Sequence, residues 1–185
     1  MFFEGLVRRF TKSQQSEESW PSLVLLLQEY RPLSDDRLLQ LADKCYGMSS
    51  PNGRISPQIV SNTSAGRILR VQFFSIHVPE GRGRYEVPGK ETSEVRQRPW
   101  DAHTAWRSID FPKQKASNPA KRSEEYKLIF FLVTQLWDEN CLALYIPERG
   151  TTIPNLGSWK ESLIWAGKNG SNLDFLRTPT SPEQA

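Results

Sequence analysis

Charge of one sign is the first thing this sequence lacks. Its 185 residues carry 24 Lys and Arg against 21 Asp and Glu, a formal net charge of +3, with acids and bases interleaved. An excess that small argues against charge-driven attachment to nucleic acid or an anionic membrane. Cysteine and histidine are equally scarce, with two of each. Cys45 falls in a helical pattern and Cys141 opens an apolar run, so both read as reduced, buried thiols packing as small hydrophobes; a disulfide or a reactive thiol is the alternative. No Cys or His pair has metal-ligand spacing. No Gly-rich turn opens either long helix to cradle a phosphate, and there is no Gly-x-Ser-x-Gly elbow. Neither a metal nor a cofactor is therefore expected. Long hydrophobic runs are missing too: nothing approaches the roughly 18–20 apolar residues of a transmembrane helix. The cytoplasm is the expected compartment.

What the chain does have is enough bulk for a core. It is 37% hydrophobic and includes six Trp and nine Phe, and each large ring removes roughly 150–250 Å² from water on burial. The length suits one domain. Three parts are expected: residues 1–19 as an amphipathic segment and linker, 20–176 as a single α+β domain with a loop insertion at 79–99, and 177–185 as a flexible tail. Phe2, Phe3, Leu6, Val7 and Phe10 share a helical face, followed by Arg8 and Arg9. Glu4 and the late basic residues do not fit a secretory signal. A short helix packing on the domain or on a second copy is the plain expectation, with a weak membrane-surface contact as the alternative.

A strand–helix pattern occurs twice. The run Ser22–Tyr30 has five consecutive aliphatics, as in a strand covered on both faces. Ser34–Tyr46 follows as an amphipathic helix, with Ser34 as N-cap, Asp35 and Asp36 in the first turn and Gly47 at the C-terminal glycine position. Ala105–Phe111 is the second short strand. Ser123–Trp137 follows as a helix apolar nearly all round, and Cys141–Ile146 as a strand stopped by Pro147. A helix so apolar calls for a second covering layer: the Phe2–Phe10 segment, a C-terminal helix or another copy of the chain. Between the two units, Ile59-Val60 and a long strand over Arg67–Val78 form a hairpin turning at Asn62–Gly66. Pro79–Pro99 lacks periodicity and reads as a long loop. Ser158-Trp-Lys-Glu161 matches a capping box, which predicts a third helix over Trp159–Ala166 ended by Gly167.

The strongest candidate site is Trp100-Asp-Ala-His-Thr-Ala-Trp106. One helical turn over Trp100–Thr104 places Trp100, His103 and Trp106 on one face. A histidine between two indoles, with Asp101 nearby, has the groups to bind a planar ligand or move a proton. The plain alternative is a structural anchor, with His103 donating to a backbone carbonyl. Asp110 belongs to the next strand, and its spacing from His103 does not establish a dyad. His77 reads as a half-exposed strand residue. Tyr145, Glu148 and Arg149 mark a candidate surface at a strand end. The bases Arg82, Arg84, Lys90, Arg96 and Arg98 alternate with Glu86, Glu91 and Glu94, and Phe73 and Phe74 do not match an RNA-binding strand motif.

Trp100-x-x-His103-x-x-Trp106-x-x-x-Asp110 and Cys141-Leu-Ala-Leu-Tyr145-x-Pro147-Glu148 resemble segments of an uncharacterised bacterial family of small α/β proteins. The resemblance spans roughly Ser22 to Gly150, by order of elements, and implies no activity or catalytic residue; the 79–99 insertion departs from it. The fold expected is a ferredoxin-like α+β sandwich. It would have a four- or five-stranded, mainly antiparallel sheet, two main helices on one face and a short C-terminal helix; a three-layer sandwich is the alternative. Three functions stay open. One is a non-catalytic interaction module, adaptor or immunity-like, binding a partner protein or a second copy as a homodimer. Another is a small-ligand protein or enzyme using Trp100, Asp101, His103, Trp106 and Asp110. The last is a weak nucleic-acid binder.

Overall fold

The structure, a computed structural model, describes residues 21–50, 53–71, 74–86, 93–111, 119–171 and 173. The Phe2–Phe10 segment, the linker after it, the 177–185 tail and the middle of the 79–99 insertion lie outside these residues. In chain order the elements are β1 (Ser22–Leu27), α1 (Asp35–Tyr46), β2 (Met48–Ser50), β3 (Gly53–Ile55), β4 (Gln58–Thr63), β5 (Gly66–Val71), β6 (Phe74–Val78), β7 (Glu80–Arg82), α2 (Glu94–Ala102), β8 (Ala105–Asp110), α3 (Pro119–Leu136), β9 (Cys141–Ile146), β10 (Thr151–Pro154) and α4 (Trp159–Lys168). A single 3-10 turn, Pro147–Arg149, joins β9 to β10.

Eight strands make one antiparallel sheet in the order β10-β9-β1-β8-β6-β5-β4, with β7 also on β8; β2 and β3 pair separately. β6 and β7 continue one line. His77 faces Asp110, Glu80 faces Arg107, and between them Ser108 N–H donates to the Pro79 carbonyl at 2.9 Å. Proline has no N–H to return, so the ladder loses one bond there and keeps its register.

β1 runs through the middle of the sheet, and all six of its residues are buried. Strand side chains alternate between faces. Leu23, Leu25 and Leu27 enter the main core with Leu38, Leu41 and Ala42 of α1 and Ile129, Leu132 and Val133 of α3. Val24 and Leu26 enter a second cluster with Ala143 and Tyr145, rimmed by Tyr85, Trp100 and Trp106. The double burial expected for this run is what the sheet provides, and each leucine so buried contributes about 1.5–3 kcal/mol.

Serine caps start α1 and α4 where the sequence marks them. Ser34 Oγ accepts from Arg37 N–H at 3.2 Å, capping α1, and the Tyr46 hydroxyl donates to the Leu128 carbonyl of α3. Gly47 is extended rather than left-handed, its N–H donating to the Asp43 carbonyl at 2.8 Å. α3 starts at Pro119, not Ser123, because proline is well suited to the first helical position. α4 has the Ser158 cap foreseen, with Oγ accepting from Glu161 N–H at 3.2 Å. It runs past Gly167 to Lys168. Its Trp159 meets Phe130 of α3 edge-on at 5.8 Å, so α4 supplies part of the covering that α3 required. Phe131 remains 38% exposed.

The ferredoxin-like expectation is overturned: the sheet has eight strands rather than four or five, and four helices accompany it among the described residues. Two segments account for the difference. Arg67–Val78 is two strands rather than one, because Val71 pairs with Phe74 across only two residues, and no Gly or Pro marks that reversal. The 79–99 segment contributes β7 and the start of α2 instead of a plain loop. Polar strands such as β4 are held by pairing more than by apolar alternation, which is why the apolar pattern undercounts them.

A buried ion network closes the main core where the chain enters α1. Glu80 accepts from Arg67 at 2.6 Å and from two nitrogens of Arg107 at 2.7 and 2.9 Å. Arg107 also donates to the Arg31 carbonyl at 2.8 Å, and Arg67 donates to that of Leu33 and pairs with Asp35 at 3.5 Å. Two cations and two anions balance, as burial demands.

Candidate functional site

The second face of the sheet gathers the residues singled out in the sequence, by a route other than one helical turn. α2 begins at Glu94 and ends at Ala102; His103 is its C-cap and Trp106 lies in β8. α2 rests against β9 and β10. Trp100 meets Tyr145 at 5.1 Å and His103 at 5.5 Å, both edge-on, and its Nε1 donates to Thr152 Oγ1 at 2.9 Å. Tyr85 bridges the rest, 5.3 Å from Trp106 and 6.3 Å from Tyr145. Trp106 lies over Gly81, where a Cβ would come within 2.7 Å of the indole. Tyr85 was not among the sequence candidates, for no local motif marks a tyrosine that a loop lays across a sheet.

His103 is 2% exposed. Its Nδ1 lies 2.9 Å from the Trp100 carbonyl and 3.2 Å from that of Pro99, and its Nε2 accepts from Tyr85 N–H at 2.9 Å. An acceptor on one nitrogen and a donor on the other fix the neutral tautomer with hydrogen on Nδ1. Burial pushes the imidazole below its ordinary value, the carbonyls pulling it partly back and Arg84 adding a smaller push down. Asp101 is turned away: it is exposed and accepts from Gln97 at 2.9 Å.

Asp110 belongs to a different group. It sits four residues beyond Trp106, about 13 Å along the strand, directly opposite His77 of β6. Its Oδ1 accepts from Ser22 Oγ at 2.6 Å and from Ser108 Oγ, and the two hydroxyls lie 3.2 Å apart. Its Oδ2 stands 4.0 Å from His77 Nδ1. The side chains of Asp110 and His77 are 14% and 33% exposed. Burial raises the Asp110 carboxyl, while the serine hydroxyls and His77 act to lower it. This partner was invisible in the sequence because it depends on register between strands some thirty residues apart.

The remaining candidates are dispersed. Tyr145 is buried, while Glu148 accepts from the Tyr126 hydroxyl at 2.5 Å and pairs with Arg122 at 2.9 Å. Arg82 lies over the Tyr30 ring at 4.8 Å, Arg84 donates to the Asp101 carbonyl at 3.1 Å, and Arg96 reaches the Trp165 ring at 5.8 Å. Lys90 lies outside the described residues. Cys45 and Cys141 are free thiols, and burial raises both, Cys45 to about 11. Among the described residues no group of three or more His, Cys, Asp or Glu is placed to hold a metal ion, and no helix is long and apolar enough to cross a membrane.

At the far edge of the sheet, β4 and the start of α1 border an open depression of about 580 Å³ lined by Asp35, Leu39, Ile59, Val60 and Asn62 among others. The register shifts between Ile59 and Ser61, and the intervening Val60 is 42% exposed. Asn62 Nδ2 donates to Asp35 Oδ2 across the depression at 3.0 Å.

Comparison with protein-family models, with curated proteins and with solved structures finds no match to this chain, so the bacterial-family resemblance rests on the sequence motifs alone.

Proposed function

We propose that the protein is a non-catalytic interaction module, of the adaptor or immunity-like kind, that engages a partner protein along the outer side of β4. One observation carries this: β4 ends the eight-stranded sheet beside an open depression, and its sequence, Gln58-Ile-Val-Ser-Asn-Thr63, holds no charge and no proline. Natural edge strands are commonly blunted by lysine or proline, and an edge without them is a template for an added strand. The shift at Val60 bends the edge and sets an apolar side chain on its surface.

The small-ligand alternative around Trp100, His103 and Trp106 draws less support, because both His103 nitrogens already carry hydrogen bonds within the chain. The nucleic-acid alternative draws less still, since Arg82, Arg84 and Arg96 are spent on separate internal contacts.

Capture from a lysate of the native host, by the wild-type chain and by Val60→Lys, tests the proposal. A partner retained by the wild type and by Val95→Lys, which alters an exposed valine on α2, and lost with Val60→Lys is the expected result. Equal retention by Val60→Lys, or no partner under any condition, sinks it. Retention of nucleic acid that falls steeply with salt favours the third function instead.

A further inference from the structure

Helix α1 forms the second wall of the depression beside β4. At about 100° per residue, Asp35, Leu39, Asp43 and Asp36 fall in that order within one arc of its surface, and Arg37 and Lys44 fall outside it. Asp35 and Leu39 line the depression together with Ile59 and Val60 of β4, so this arc is the flank that α1 turns toward the strand. The groove between them has an apolar middle and an acidic side. Leu39 and Ile59 are half-buried against the main core, and Val60 is 42% exposed. Asp36 is exposed, and the Asp35 side chain is 48% exposed although it accepts from Asn62 Nδ2 at 3.0 Å and pairs with Arg67 at 3.5 Å. Arg67 lies behind it, 6% exposed, and its shorter contact is with Glu80 at 2.6 Å. No basic side chain lines the depression among the described residues.

β4 ends the sheet among the described residues, so alternate N–H and C=O groups along its six residues face outward. A strand added there pairs through its main chain and turns every second side chain toward α1. Those side chains stand about 6.7 Å apart, and residues four apart on a helix are about 6 Å apart along its axis. Successive inward positions therefore meet Asp35, Leu39 and Asp43 in turn, with Asp36 next to Asp35. An apolar side chain suits Leu39, a basic one suits either end, and an acidic one is repelled.

Resting on β4 as the site of partner binding, we propose that the groove between α1 and β4 takes an extended, basic segment of the partner protein. Its inward side chains read basic, apolar, basic at alternate positions, and it lies as an added strand against β4.

Amide proton–nitrogen correlation spectra of the full chain at neutral pH, titrated with acetyl-Thr-Lys-Thr-Val-Thr-Lys-Thr-amide, test it. The pattern of that peptide is the same in both directions, so it serves a parallel or an antiparallel strand. Saturable shifts centred on Leu39 and Ile59–Asn62 are expected, with a dissociation constant on the order of 0.1–1 mM that rises with salt. The same peptide with glutamate for both lysines should leave these signals unmoved. Acetyl-Thr-Thr-Lys-Val-Lys-Thr-Thr-amide, whose lysines face away from α1 when its valine faces Leu39, should bind several-fold more weakly. Asp36→Lys should weaken binding of the first peptide about fivefold or more. Should that variant fail to fold, Asp36→Asn should weaken it about twofold or more. Undiminished affinity in a folded Asp36→Lys or Asp36→Asn chain, or equal binding of the glutamate peptide, overturns the basic segment and leaves β4 as the docking edge. No shift with any peptide overturns it too; β4 then survives only if a captured partner is still lost with Val60→Lys. A dimer in sedimentation that ignores every peptide makes a second copy the occupant and overturns the proposal.

Discussion

His103 shows how one residue can look catalytic and act as a bracket. Its imidazole ties the end of α2 to the segment after β7, through carbonyls on one nitrogen and the Tyr85 N–H on the other. Protonating Nε2 would destroy the second bond. The unfolded imidazole takes up its proton near the ordinary value of 6.5, while burial holds the folded one below it. Between those values the unfolded chain binds more protons, so stability is full above about 6.5 and falls as the pH drops below it. Urea unfolding from neutral to mildly acidic pH should show this decline in the wild type and lose it in His103→Gln. An identical pH dependence in both would rule out the bracket as its source. Asp110 has the opposite sign: burial raises it, so its contribution is largest when protonated and wanes as pH rises above its ordinary value of 3.8. The motif Trp100-x-x-His103-x-x-Trp106 was legible in the sequence as an aromatic–histidine cluster. Its shape was not, because Trp106 reaches the cluster from a strand, over a glycine.

That glycine belongs to the scale of elements. β7 is three residues long, and it fits under Trp106 only because Gly81 has no side chain. In Gly81→Ala the added carbon would sit 2.7 Å from the indole, so Trp106 must lift and disturb Tyr85. A loss of about 1–3 kcal/mol is expected, read as a lower Tm with altered near-ultraviolet circular dichroism. An unchanged aromatic spectrum would argue against the close packing. Elements with strong local codes were legible: β1 from its unbroken aliphatics, α1 and α4 from serine caps, β9 from its run up to Pro147. Elements without them were not. β5 and β6 reverse between Val71 and Phe74 without a turn-forming glycine or proline, and α2 contains Pro99 and little apolar periodicity. Both exist because neighbouring strands and rings accept them.

Across the whole molecule, the Glu80 network joins the loop before α1 to both β5 and β8. Removing its carboxylate leaves two guanidinium groups in the core edge with Asp35 as their remaining acidic neighbour. Glu80→Ala should therefore cost about 3–5 kcal/mol, seen as a large fall in the urea midpoint. Replacing all three buried members with apolar residues should recover much of that loss. A cost below about 1 kcal/mol for Glu80→Ala would mean that solvent reaches the pair.

The sequence by itself determined the parts governed by neighbours along the chain: which runs are apolar, where helices α1 and α4 begin, and that charge is too balanced to dictate a partner. Hydrophobic period and capping act within a few residues, so they are written locally. The tertiary structure decided the strand count, the pairing of Asp110 with His77 rather than His103, the arrest of His103 between two backbone segments, and the uncharged edge at β4. Each of these depends on register and on which face of a sheet a residue meets, and those are set by contacts between segments far apart in the chain.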